Sequence, residues 1–358
     1  MARYNMKGLP WEHGIGTCVT DCTTAKEVMQ KAKLDWTVNK CEIVAKMPFR
    51  LNSSEDLEAF MAGDDPDNFV HAGNIYRDLP NAYATYRTDI MAPLGLVKDR
   101  YEVVQNMDVF NFFDSAIGKD KAVWQYAGMM GYGHKIFVTA KLPITTTVLG
   151  EPIDNYLVFS NSHDGSSSVD VMFTPVRVFC TNCLNAARNS SSVHIRLKHT
   201  KTVAERLELG SDVLRIACEF AVSAKELYDS LTTIKMTDKQ VMEYLASLQL
   251  TEEELITLAE IDKLHGIEKL FARDYLTMEN SGISTRKANQ LATMFDYYQN
   301  GIAQQSIVGT AWGAYNAITG YYSNVDNKEG TKRLDSLLWG SANNSMNKAL
   351  NHVMEFAA

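Results

Sequence analysis

The chain lacks any apolar run approaching the roughly 18 residues needed to cross a bilayer, so a membrane-spanning helix is excluded. It also lacks the marks of common catalytic centres: no HExxH, no GxSxG and no glycine loop closed by Lys-Ser/Thr. Its 8 histidines are scattered, with no close HxH beside a carboxylate, which gives no support for a catalytic metal site. Positive charge is in deficit: 35 Lys and Arg face 43 Asp and Glu, a formal net charge of −8. Proteins that coat duplex DNA are usually basic, because counterion release supplies most of that affinity. The balance argues against DNA coating, but it leaves room for a local basic surface on an acidic body. Met1 to Thr17 carry Arg3 and Lys7 but no apolar stretch of signal-peptide length, which places the protein in the cytoplasm. The 6 cysteines, without a secretion signal, do not suggest a disulfide framework.

What remains is an ordinary globular composition, 46% hydrophobic and 22% charged, over 358 residues. That length suits two domains, or one with a large appendage. Thr24-Ala25-Lys26-Glu27 has the form of a capping box, and Ala25, Val28, Met29 and Ala32 follow at helical spacing. Asp35–Val38 and Glu42–Ala45 read as extended, and Gly63–Asp67 as an acidic loop. From Tyr83 to about His199 the chain is strand-rich. Lys135–Ala140, Tyr156–Ser160 and Val169–Phe173 have strand composition, the last two flanking the turn dipeptide Asp164-Gly165. Val176–Phe179 continues that strand or follows it, and Leu184–Ala187 turns helical.

From Val203 the pattern is helical. Leu214, Ala217, Cys218, Ala221 and Val222 form one stripe; Thr251–Glu254 repeats the capping box, with Leu255, Leu258 and Ala259 behind it. These features predict an α+β fold: an antiparallel sheet covered by helices on one face, then a mainly helical C-terminal region. The divisions fall at 1–203, 204–300 and 301–358. The aromatic stretch Trp312–Tyr322 in the last either packs back onto the sheet or forms a subunit interface.

Several short motifs could carry chemistry. Cys180-Thr181-Asn182-Cys183, between a strand and a helix, has redox spacing and could join Cys18 and Cys22 in a zinc site. No flanking knuckle supports a ribbon, so small buried or surface thiols explain it better. Gly128-Met129-Met130-Gly131-Tyr132-Gly133 is followed by a strand where a nucleotide fold needs a helix, so it reads as a hairpin tip. His163-Asp164 reads as turn chemistry. The strongest electrostatic signal is Arg188 to Arg206. Within Val193–His199, strand alternation puts Val193, Ile195 and Leu197 toward the core and His194, Arg196 and Lys198 on the other face. Lys201 extends the charge, and Arg177 and Arg188 lie near in sequence. Such a row suits phosphates; it also suits a solvated strand face paired to acidic neighbours. Tyr83, Tyr86, Arg87, Arg100 and Tyr101 add an aromatic–basic cluster.

A set of stretches, in order along nearly the whole chain, resembles a phage/plasmid-like protein family, the domain of unknown function 932. They are Pro10–Gly16, Thr23–Glu27 and Lys33–Val38; then Tyr86-Arg87, Leu94–Tyr101, Pro175–Ala187 and Lys198–Thr200; and finally Gly309–Tyr321. The resemblance implies an origin in a mobile element, and no particular reaction. The family pattern usually has Thr at Cys183, which lowers the case for a CxxC site, and an acidic residue at Gly320, where none stands here. A sheet with an Asp-Gly hairpin, a helix and a basic segment is also loosely similar to single-strand annealing proteins of the Rad52 type.

The expectation is a non-enzymatic phage- or plasmid-type DNA-metabolism protein that binds single-stranded nucleic acid as a homo-oligomer, without cofactor or metal. Arg177, Arg188, His194, Arg196, Lys198 and Lys201 are its candidate nucleic-acid-binding residues. The rival expectation is an acidic interaction protein that blocks a host defence or replication factor.

Overall fold

From Val123 to Arg177 apolar residues recur at alternate positions, and the chain runs back and forth as four long antiparallel strands. The computed structural model describes residues 4–12, 14–50, 53–61, 68–72, 74–117, 122–177, 180–181, 194–200, 213–272 and 282–356. In chain order the elements are β1 (Gly16–Cys18), α1 (Ala25–Lys31), β2 (Val38–Arg50), α2 (Ser54–Met61), β3 (Asn68–His71), β4 (Asn74–Arg87), β5 (Pro93–Lys98), α3 (Asn106–Ile117), β6 (Val123–Met130), β7 (Lys135–Val148), β8 (Glu151–Ser162), β9 (Val169–Arg177), β10 (Cys180–Thr181) and β11 (His194–Leu197). The helical half follows as α4 (Val213–Thr233), α5 (Asp238–Gln249), α6 (Glu252–His265), α7 (Glu268–Phe271), α8 (Thr285–Asn300), α9 (Ala311–Gly320), α10 (Gly330–Leu338) and α11 (Ser341–Phe356). The expected α+β class holds. The Gly63–Asp67 loop and the Leu184–Ala187 helix lie outside the described residues.

Seven strands form the main sheet in the order β1-β6-β7-β8-β9, with β10 and β11 both pairing with β9. A four-stranded sheet carries β2 on one side of β4, with β3 and β5 also paired to β4. The main sheet corrects the expectation of a single covered face. Phe137, Tyr156, Val158 and Met172 join an apolar cluster with the C-terminal helices. Their neighbours Ile136, Val138, Leu157, Phe159 and Val171 join a second cluster with α1 and α3. Every residue of β9 is buried, as a strand covered on both faces requires.

Local signals set the helix starts. The Thr24 hydroxyl accepts from the Glu27 N–H at 3.3 Å and the Glu27 carboxylate from the Thr24 N–H at 3.2 Å. Thr251 and Glu254 repeat this at 3.3 and 2.8 Å. In α4 the buried stripe runs through Ala217, Ala221, Ala224, Tyr228 and Leu231, while Val222 is 52% exposed, so the predicted stripe is rotated. Helix α9 is buried at all ten positions, as a helix apolar on every side must be, and it continues into a π-helical turn at Tyr321–Val325. The Trp312–Tyr322 stretch therefore packs inward: Trp312 and Ile318 share their cluster with sheet residues Tyr156 and Val176. A Cβ on Gly320 would lie 2.1 Å from Cε1 of the fully buried Tyr297, so the ring occupies the room of a side chain there.

The two sheets meet where β5 crosses the β8–β9 turn. Gly165 supplies the left-handed backbone predicted for that turn, with φ +74°. A Cβ on Gly95 would fall 2.5 Å from both Cα and O of Asp164, so two backbones touch without an intervening side chain. His163, at the start of the turn, is fully buried. Asn106 donates to the Leu34 and Trp36 carbonyls, which leaves its Oδ1 to accept from His163 Nε2 at 2.8 Å. Burial pushes the His163 imidazole down to about 3, with His199 adding to the effect.

Two outcomes follow from this turn. Gly95→Ala should lower stability by about 1–3 kcal/mol, because backbone on both sides must shift; an unchanged urea midpoint would refute the contact. The unfolded chain takes up a proton on His163 below about pH 6.5, and the native ring refuses it until about pH 3. That site's contribution is therefore complete above pH 6.5 and declines as pH falls. His163 ring resonances should stay flat from pH 8 to pH 5, and His163→Gln should flatten part of the acid-side stability slope.

Candidate functional site

The turns β6–β7 and β8–β9 lie at the same end of the main sheet, and β11 runs along β9 so that its last residue, Leu197, faces Val169 at that end. There the sheet, β5 and α10 enclose a groove of about 730 Å³. Its cations are Lys98, Arg100, Lys135, Arg196 and Lys198, against the carboxylates Asp170 and Asp335. They come from distant stretches that only the topology brings together.

Two of the cations are held. Lys135 Nζ lies 2.9 Å from Asp335 Oδ1 and 5.6 Å from the Trp339 ring centre. Arg196 Nε donates to Oδ1 of Asp170 at 3.0 Å; the arginine side chain is 61% exposed, its carboxylate partner only 1%. Lys98, Arg100 and Lys198 are exposed and form no ion pair among the described residues. Close cations without neutralising partners raise the local potential even on an acidic body.

A hydrogen-bonded layer lies under this rim. His199, buried on the groove wall, has Nδ1 3.0 Å from the Glu102 carbonyl, and its ring stacks on Tyr101 with centres 4.5 Å apart. Tyr101 donates its hydroxyl to the Ser162 carbonyl at 2.7 Å, and burial pushes the phenol well up. Ser162 Oγ and the Ser166 N–H both donate to Asp164 Oδ1, at 2.6 and 2.9 Å. Burial likewise pushes His199 down, so the ring is neutral at physiological pH.

Of the residues predicted from sequence, Arg196 and Lys198 lie in the groove. His194 opens β11 opposite Met172; Arg188 and Lys201 lie outside the described residues. Arg177 is elsewhere and 2% exposed. Its guanidinium pairs with Glu151 and donates to Asn316 Oδ1 at 3.2 Å and the Ala303 carbonyl at 2.8 Å, which ties the sheet to α9. The arginine side chain is 3% exposed and its contacts are with groups of this chain, so the guanidinium is spent inside the fold and does not present a face to a surface phosphate. From the aromatic–basic cluster, Arg100 and Tyr101 line the groove, whereas Arg87 is buried with its guanidinium 4.2 Å over Trp36. Cys183 lies outside the described residues, and among those described no three His, Cys, Asp or Glu side chains cluster to hold a metal. Lys98, Lys135 and Trp339 went unnoticed as site residues. Lys98-Asp99-Arg100 is an ordinary strand end in sequence, and nothing local to Lys135 or Trp339 links either to β11.

Among the described residues no helix is long and apolar enough to cross a membrane. No curated protein and no solved structure matches the chain. Residues 93–350 match the family described as Domain of unknown function (DUF932), a span that contains every groove residue named above. With most of its length and the whole groove inside that match, the chain belongs to the DUF932 family.

Proposed function

We propose that this groove binds the backbone of single-stranded nucleic acid, and that the protein serves nucleic-acid metabolism in a phage or plasmid, acting as a homo-oligomer in annealing or recombination. The observation that carries the reading is the convergence of five cations in one groove, three of them without an ion-pair partner among the described residues. Lys98, Arg100 and Lys198 supply phosphate contacts, and Arg196, held by Asp170, supplies a fixed one. The concave shape favours a flexible strand over a duplex, whose stiff convex surface needs an open saddle. A volume of about 730 Å³ lies in the range of small-ligand pockets and holds a short stretch of strand. The chain's formal net charge of −8 disfavours nucleic acid over the surface as a whole, so binding depends on a local cluster of cations such as this one. Tyr101 is committed to His199 and Ser162, so it acts as a support and not as a stacking platform.

Fluorescence anisotropy with labelled single- and double-stranded oligonucleotides, at low and moderate salt, tests this. The single strand should bind more tightly, with a linear fall of log affinity against log salt. The triple variant Lys98→Glu, Arg100→Glu, Lys198→Glu should abolish most binding. Its milder alanine counterpart should reduce the salt slope by about 2, since each single-strand phosphate contact contributes about 0.7. No binding at low salt would overturn the reading. Capture of a host protein through the acidic surface would then favour the blocking role.

A further inference from the structure

A second cleft, of about 520 Å³, lies beside the α10–α11 corner, where Trp339 lines the groove and Ser341 lines the cleft. One wall is α8. Its apolar positions Ala288, Leu291, Ala292 and Phe295 are buried, whereas Arg286, Asn289, Gln290 and Thr293 line the cleft at the i, i+3, i+4, i+7 spacing of a single helical stripe. The other wall is the π-helical turn, which contributes Tyr321, Tyr322 and Val325. The two tyrosine rings meet edge to face with centres 5.2 Å apart. A solvated helix would carry such a polar stripe as well; here the stripe shares a cleft with an aromatic wall.

That wall is pinned from several sides. The Arg333 guanidinium donates to the Ser323 carbonyl at 3.0 Å, the Asn324 amide to the Tyr297 hydroxyl at 3.2 Å and the Lys7 ammonium to the Asp326 carbonyl at 2.7 Å. Turns of π-helix are rare and often mark functional sites. By contrast, the side chains of Arg286, Asn289 and Gln290 and the hydroxyls of Tyr321 and Tyr322 form no hydrogen bond or ion pair among the described residues. Burial, with Asp326 nearby, pushes the Tyr321 phenol up to about 12, so its hydroxyl remains a donor. Among the described residues the lining holds one carboxylate, Asp326. Lys328 pairs with it at 3.0 Å, which leaves Arg286 as the net positive charge.

These groups ask three things of one ligand. Aromatic rings take a flat π-face. Carboxamides, each with a donor beside an acceptor, match an edge that carries both, as adenine does at N6 and N7. A guanidinium without a partner takes an anion, phosphate above all. A base joined to its phosphate meets all three, and the volume of the cleft lies in the small-ligand range. We infer that the cleft is a nucleotide site, with Arg286 on the phosphate, Asn289 and Gln290 at the base edge and the tyrosine wall against the ring. The inference does not rest on the groove reading: the nucleotide is either free or one unit of a strand that leaves the groove past the α10–α11 corner.

Isothermal titration calorimetry of the whole chain with AMP, adenosine and ribose 5-phosphate tests the site, and anisotropy of labelled oligoadenylate tells the two sources apart. AMP should bind. Removing either half, base or phosphate, should weaken binding roughly 10-fold, the scale of a charge-assisted hydrogen bond or a stacked base. Arg286 is exposed and Gln290 half-buried, and alanine suits a helix, so Arg286→Ala and Gln290→Ala keep the fold. Each should lower AMP affinity roughly 3- to 10-fold, whereas alanine at Lys98, Arg100 and Lys198 together should leave it unchanged. If the two cleft variants also weaken oligoadenylate, the nucleotide belongs to the strand; if oligoadenylate is unmoved while AMP binds, the nucleotide is free. Three results would overturn the inference: ribose 5-phosphate binding as tightly as AMP, AMP binding lost with the groove cations but not with Arg286, or neither AMP nor oligoadenylate responding to the cleft variants. AMP held by the cleft with no strand bound at all would remove the groove reading and leave this one standing.

Discussion

The approach of Gly95 to the peptide of Asp164 sets the position of nearly everything around the groove. At that crossing the smaller sheet rests on a hairpin turn of the larger one, backbone against backbone, and any side chain at 95 would prise them apart. Because β5 is seated there, Lys98 and Arg100 project over the turn, and Tyr101 reaches back to the Ser162 carbonyl just before it. Tyr101 in turn orients His199, and the Asp164 carboxylate shapes the serine rim from inside. The turn is gripped from several sides, so the groove inherits the rigidity of the sheet core and not the mobility usual for a loop.

The charge arrangement solves a conflict between solubility and recognition. Spread evenly, an excess of carboxylates would weaken any anion site. Here Asp170 is withdrawn beneath the surface and contacts Arg196 from below, so the negative charge positions a guanidinium without covering its outer edge. Such an arginine has less freedom to lose when a ligand arrives. Lys135, between Asp335 and Trp339, is similarly fixed at the opposite wall and joins β7 to the helical half. Lys98, Arg100 and Lys198, by contrast, retain their conformational freedom, and their attraction acts at longer range and yields to salt.

Local chemistry made much of the fold legible. Thr24 with Glu27 and Thr251 with Glu254 announced helix starts, Asp164-Gly165 announced the hairpin, and alternation in β11 placed Leu197 inside with Arg196 and Lys198 outside. What failed was longer in range. The strands of the main sheet read as half-covered because their runs are short, and only the assembled clusters show helices on both faces. Arg177 carried the same signal as Arg196, a cation in a strand, yet one is sealed against Glu151 and Asn316 while the other opens on the groove. Sequence records charge, whereas depth follows from which helix covers which strand. The groove itself was half visible: the stretch of β11 and the residue after it supplied Arg196 and Lys198, but Lys98 and Lys135 meet them only through the sheet order.

The contact between Gly320 and Tyr297 couples two positions that are 23 residues apart in the chain. The Tyr297 ring fills the volume that a side chain at 320 would need, and its hydroxyl accepts from Asn324 at 3.2 Å while its face packs near Tyr4. A residue with a side chain at 320 and a tyrosine at 297 are therefore mutually exclusive on this backbone. Where α8 and α9 cross, the space thus holds one large ring and no second side chain, so a change at either position is felt at the other.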